Sequence, residues 1–331
     1  MNYRTLGNTG LEISVIGYGA ASIGEIYAVC DPAVAQASVH AALDGGINYF
    51  DVAPLYGFTL AEERLGTALK GRRHEIHLAT KCCRDKFGVF DFSAKRVKQS
   101  IDESLKRLQT DYVDVYQIHD VEFGTNEQIV QETFEAARDV QKSGKARFVG
   151  ITGFPVRYVR KVAEQVKPDT VMSWGHHTLI ENEMVTELED VVTEQNIGLL
   201  NASPLLQGLL TENAPPDWHR APKPVLDMAP QMARLCRKEY DVDLAQVALR
   251  HALDCSLSTS VVVGMSTPEK VACNLAALDF EIPDGLMDRL LTLSKPVKNM
   301  PWYEGRAENN LPPSDPNQYV PTYPDVTHSD D

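Results

Sequence analysis

Short apolar runs that end in glycine or a polar residue, each followed by a helix-forming segment, recur along most of the chain. This alternation constrains the fold more than any other feature. The runs span 15–18, 47–50, 74–80, 113–118, 147–151, 170–173, 198–202 and 259–263. Between them the periodicity predicts helices over 31–43, 60–69, 93–108, 125–143, 156–165, 188–194 and 243–253, and a closing helix over 268–278. Asp31-Pro32 and Ser93 read as helix starts, a cap followed by a compatible first turn. The glycine-punctuated runs before residue 15 predict a small N-terminal hairpin. Eight strands joined by helices predict a closed (β/α)8 TIM barrel. A doubly wound sheet would need fewer strands and a GxGxxG loop, a spacing that GNTG and GYG lack. One barrel domain is therefore expected over 1–331, with its active-site loops at the C-terminal face. A proline-rich loop is expected over 213–230 and an irregular tail from about 295. Trp302 and Tyr303 are expected to fold over the barrel mouth, and the final DVTHSDD to fray.

Composition excludes several classes of partner. Forty-six acidic residues against 32 basic give a formal charge of −14, opposite to the basic footprint that nucleic acid requires. No apolar run approaches the roughly 18 residues of a membrane span, and MNYRTLGNTG lacks the apolar core of a secretory signal. A soluble, cytoplasmic protein is expected, with no stripe that specifies an oligomeric state. Six cysteines without a CxxC pair predict free thiols rather than disulfides or a zinc site.

Four polar residues fall at equivalent places in this topology. Asp51 follows the second strand, Tyr56 stands in the loop after it, Lys81 ends the third strand, and His119 the fourth. Singly, such residues are usually caps, ion pairs or packing groups. Jointly, on consecutive strands, they converge at one end of the barrel. An ammonium beside a phenol lowers its pKa from about 10. Lys81 is thus expected to tune Tyr56, Asp51 to hold Lys81, and His119 to orient a substrate oxygen. Tyr56 would then exchange a proton while hydride moves at the same carbon. The ammonium in their midst opposes a metal cation, so no metal is expected.

The motifs FDVAPLYG with AEERLGTAL, ATK, YVDVYQIHD, SPLLQGLL and VVVGMSTPEKVACNLAAL resemble the aldo-keto reductases over approximately residues 3–280. The resemblance implies a barrel binding an extended nicotinamide cofactor, with Asp51, Tyr56, Lys81 and His119 as the catalytic four. It also implies cofactor contacts. Thr152 and Ser173 would meet the carboxamide, and Trp174 would stack on the nicotinamide. Ser203 and Leu205 would follow the pyrophosphate, covered by Gln207 and Gly208, with Gly264, Lys270 and Asn274 at the adenosine end. Gly153 stands where an asparagine is usual and Ser173 where many members have glutamine. Gly264 and Lys270 stand where NADP-selecting members carry lysine and arginine, which favours NAD over NADP. GITGFPVRYVRKV, SWGHH and GLLTENAPPDWHRAP resemble the branch that oxidises aldoses such as L-galactose at C1. A small neutral sugar is expected, L-galactose or a relative such as L-fucose. Asp120, Glu122, Phe123, His177, Trp218 and Tyr18 are expected at the mouth. The rival readings are an NADPH-dependent aldehyde or ketone reductase and a low-turnover, cofactor-sensing regulatory subunit.

Overall fold

Leucines near the N-terminus close the floor of the barrel. In the computed structural model, which describes residues 1–300 and 302–312, β1 (Tyr3–Thr5) pairs antiparallel with β2 (Glu12–Ser14). The hairpin presents Leu6, Leu11 and Ile13, all buried, to the interior residues Tyr49, Ala79, Val115, Met172 and Leu200. Leu6 fits only because position 198 is glycine; a Cβ there would stand 2.4 Å from its methyl group.

Eight parallel strands form the closed barrel. They are β3 (Ile16–Gly19), β4 (Tyr49–Asp51), β5 (His77–Cys82), β6 (Val113–Ile118), β7 (Ala146–Gly153), β8 (Thr170–Trp174), β9 (Gly198–Ala202) and β10 (Ser260–Gly264). Each pairs with its sequence neighbour, and β10 returns to β3 to complete the ring. Side chains alternate between the interior and the helical shell, as a period of two requires. Caps fix several helix starts. Asp31 accepts the N–H groups of Ala33 and Val34 ahead of Pro32–Asp44, Ser93 accepts that of Arg96 ahead of Ala94–Leu108, and Asp243 that of Ala245 ahead of Leu244–Leu253.

The expected loop over 213–230 is corrected. Its second half begins a helix, Lys223–Tyr240, with Pro224 in the first turn and Pro230 inside. Proline in a first turn removes an N–H that has no partner anyway. Val225, Met228, Ala229, Met232 and Cys236 then bury one face, and that packing outweighs the interruption at Pro230. A helix at Leu286–Ser294 packs on it and precedes the tail. The third strand starts at His77 because Arg73–Glu75 forms a 3₁₀ turn, and Glu183–Glu194 extends the sixth helix toward its N-terminus. Among the described residues beyond Ser294, the chain is irregular apart from short 3₁₀ turns at Lys295–Val297 and Ala307–Asn309. Trp302 is buried against Phe154 and His219, with ring centroids 4.7 and 6.0 Å away, so this segment does cover loops at the rim. DVTHSDD lies outside the described residues. Among those residues, no helix is long and apolar enough to cross a membrane.

Candidate active site

The rim at the C-terminal ends of the strands collects the polar residues. Asp51 ends β4 and Lys81 lies within β5, both buried and both turned inward. Lys81 Nζ contacts Asp51 Oδ1, donates to the Val52 carbonyl at 3.0 Å, and donates to Tyr56 Oη at 3.3 Å. Asp51 Oδ2 accepts from Gln117 Nε2 at 2.8 Å. Sequence reasoning missed Gln117. It faces inward one alternation before the end of β6, and period two along Val113, Val115 and Gln117 was the signal available.

Tyr56 is held by its neighbour. Gly57 has φ +63°, and a Cβ there would lie 1.8 Å from the Gly24 carbonyl oxygen. Only glycine lets this loop close against the one after β3. His119 follows β6 and meets the Tyr56 ring edge-on, with centroids 6.1 Å apart.

Charge states follow from burial. Burial by itself would discharge Lys81, but the Asp51 carboxylate, helped by the hydrogen bond that Tyr56 accepts, outweighs it and raises the pKa, so the ammonium persists. Burial also raises the Tyr56 phenol; Lys81 opposes this, while Asp51 and Asp120 add to it. The expectation that Lys81 brings the phenol below its ordinary value is therefore corrected: Tyr56 rests protonated, accepting from Lys81 and keeping its own O–H to donate. Burial drives His119 down to about 3, against the upward pull of Asp120 and with help from Lys81 and Arg84, so the imidazole is neutral.

The residues expected at the mouth divide. Asp120, at φ +55°, is buried with Oδ2 accepting from Arg84 Nη1 at 2.7 Å, and its N–H donates to Thr152 Oγ1 at 3.0 Å. Phe123 stacks on Phe90 at 4.0 Å. Trp218 is exposed and leans on Tyr27, 5.9 Å between centroids; Tyr27, which the sequence reading did not select, is exposed as well. Three residues are not at the mouth. Glu122 is fully buried: Oε1 accepts the Phe154 N–H at 3.1 Å, and its carbonyl accepts from Arg306 N and Asn309 Nδ2. Burial, reinforced by Asp120, pushes its carboxyl far up, so it is a neutral clasp for the C-terminal segment. His177 lies behind the barrel, stacked 5.2 Å from His251 in the helix Leu244–Leu253. Tyr18 is buried on the helical side, stacked on Phe50 and bonded to Ser38.

The implied cofactor contacts also divide. Trp174 is half-buried in the interior layer, 4.3 Å from Phe154. Ser173 lies between Met172 and Trp174, both interior, so alternation turns it to the outer face with a buried, unpartnered hydroxyl. Its expected contact is corrected. Thr152 is buried at the end of β7. After β9, Ser203, Leu206, Gln207 and Gly208 have φ of +56°, +45°, +53° and +95°, which curls the loop containing Leu205 back over the strand end. Beside it, Gly264 is exposed at the end of β10. The buried hydroxyl of Ser22 has no partner and lies 3.5 Å from where a Cβ on Gly264 would stand. Asn274 Nδ2 donates to the Gly264 carbonyl at 3.4 Å, and exposed Lys270 reaches Ser266 at 3.1 Å. An indole at the inner rim, an open glycine and an orphaned hydroxyl fit an extended dinucleotide.

A closed parallel barrel whose rim joins an ammonium-bound phenol, a supporting carboxylate and a neutral imidazole defines a proton-transferring barrel enzyme. The chain belongs to the aldo/keto reductase family, whose profile matches residues 15–294, and it is an oxidoreductase. It is 40% identical over 316 residues to L-galactose dehydrogenase of Arabidopsis thaliana, covering 92% of this chain and 98% of that one. It is 31% identical to D-threo-aldose 1-dehydrogenase of a Pseudomonas species, over 85% of this chain and 94% of the relative. Among solved structures, the holo form of an aldo-keto reductase from Bacillus halodurans superposes with a TM-score of 0.74 at 27% identity, covering 92% of this chain and 98% of the other.

Proposed function

We propose that the chain oxidises L-galactose, or a closely related neutral aldose such as L-fucose, at C1 to the aldonolactone, with NAD as hydride acceptor. The observation that carries this reading is the 40% identity to an L-galactose dehydrogenase across nearly the whole of both chains. The second relative, an aldose 1-dehydrogenase, supports the same carbon as the site of reaction. When bound, the nicotinamide would take the hydride. Thr152 and Trp174 would hold it, and the loop Ser203–Gly208 with Gly264, Lys270 and Asn274 would hold the rest. Tyr56 acts as general base on the C1 hydroxyl. Lys81 stabilises the phenolate as it forms, Asp51 and Gln117 fix Lys81, and the neutral His119 orients the C1 oxygen. The raised phenol favours the acid role as well, and so gives some weight to the second reading, NADPH-dependent carbonyl reduction.

Initial rates on a panel of free sugars with NAD and NADP, including both enantiomers of galactose and fucose, test the proposal. NADH formation with L-galactose or L-fucose is expected; none across the panel removes the reading. Gly264→Lys is expected to improve the NADP:NAD ratio of kcat/KM about tenfold, through one added charge near the 2′-phosphate. An unchanged ratio would count against the assignment of this strand end to the adenosine side.

A further inference from the structure

One cationic side chain at the mouth has no part in the proton and hydride transfer. Arg84 stands just beyond Lys81 in the loop after β5, with its guanidinium 4.9 Å from the Phe90 ring centroid and 5.8 Å from that of Phe123. These rings stack on each other. The loop is braced from within: Arg84 bridges Phe90, and the Asp91 N–H donates to the Cys83 carbonyl at 2.8 Å. Arg84 Nη1 donates to Asp120 Oδ2, and that same oxygen lies 3.6 Å from His119 Nε2. A single carboxylate oxygen thus separates the guanidinium from the imidazole edge beside Tyr56. Of the pair, Arg84 is the open member, its side chain 28% exposed against 4% for Asp120.

We propose that Arg84 is the specificity-determining residue of the sugar site, donating to hydroxyls away from C1; this rests on the sugar-oxidation reading. With C1 between Tyr56 and His119, the rest of a pyranose extends toward the next donor in the row. The guanidinium has five donors in a rigid fork; one goes to Asp120 and the Nε–H is buried, so the remaining Nη hydrogens are the ones turned to a ligand. Asp120 also cancels its charge, so the pair suits neutral hydroxyls rather than a carboxylate or phosphate, and the aromatic stack keeps the fork from turning away.

The test is a cycle between protein and ligand. L-Galactose and its 2-, 4- and 6-deoxy analogues are compared in wild type, Arg84→Gln and Arg84→Lys. Loss of one particular hydroxyl is expected to cost wild type about tenfold or more in kcat/KM, mostly in KM, and Arg84→Gln less than about twofold. Affinity for NAD alone, measured by fluorescence quenching, is expected to be unchanged. Penalties that are the same in wild type and both variants overturn the assignment. Should the glutamine variant fail to fold, Arg84→Lys, which keeps charge and bulk over the rings, carries the test. Calorimetric binding of the same sugars to enzyme with NADH reads the cycle without turnover. An intact binding cycle without oxidation refutes the reaction, whereas turnover with a flat cycle refutes the role of Arg84.

Discussion

Tyr56→Phe is expected to lower kcat for sugar oxidation by about 10²–10⁴-fold, the usual worth of a positioned general base, with NAD affinity nearly unchanged. The substitution removes one oxygen and keeps the ring against His119, so the loop stays in place. Lys81 keeps its contacts with Asp51 and the Val52 carbonyl, so no buried charge is stranded. Initial rates and cofactor titration check both halves, and survival of more than about a tenth of wild-type kcat would remove Tyr56 from the role. The wild-type pH profile carries the same assignment. Burial holds the phenol above its ordinary value, and oxidation needs it deprotonated, so the rate climbs toward alkaline pH. Carbonyl reduction needs the protonated phenol and holds its rate until the same alkaline range. His119, driven down to about 3, contributes no inflection near the ordinary histidine value. An oxidation profile that levels off below about pH 8 would contradict the base role.

Local alternation carried the barrel, because each strand and helix is written in its own periodicity and cap. It also placed Asp51, Lys81 and His119, since consecutive parallel strands are neighbours and their ends share a rim. The missing parts depend on which way a side chain points and on what closes over it. Ser173 faces the wrong side by one residue, an error that Met172 and Trp174 expose once the interior layer is known. Glu122 and His177 are polar residues after strand ends, as an active-site group would be, yet the C-terminal segment buries one and the helix Leu244–Leu253 the other. Those contacts are made by residues far along the chain, which no local pattern displays. The direction of the Tyr56 phenol shift escaped the sequence for a related reason: proximity to Lys81 is legible, whereas the desolvation that outweighs it is not. Arg84 went unnoticed because a lone arginine in a loop signifies nothing until Asp120 and the phenylalanines are seen around it.

The opposite end of the barrel supplies the second large effect. Asp114→Ala is expected to cost about 3 kcal/mol of stability, the low end for breaking a buried ion pair, with kcat unchanged. Asp114 is buried near the start of β6, accepting from Arg73 and the Leu78 N–H through Oδ2 and from Arg147 through Oδ1. Alanine would leave Arg73, whose side chain is only 17% exposed, without its carboxylate and the Leu78 N–H short of a partner. Arg147, 45% exposed, returns to water at little cost, which is why the lower figure applies. Burial alone would raise the Asp114 carboxyl, but His77, the Leu78 N–H, Arg73 and Arg147 together hold it well below the ordinary aspartate value. A depressed folded-state pKa contributes stability that is fully present above the unfolded value, about 3.9, and is lost as pH falls through the folded one. The gap between wild type and variant in urea melts is therefore expected to be full at neutral pH and to shrink only in strong acid. A gap below about 1 kcal/mol at neutral pH would show that solvent replaces these partners cheaply. Paired with Tyr56→Phe, the substitution separates the two ends of one scaffold: the rim loses turnover and keeps its fold, and the floor loses stability and keeps its chemistry.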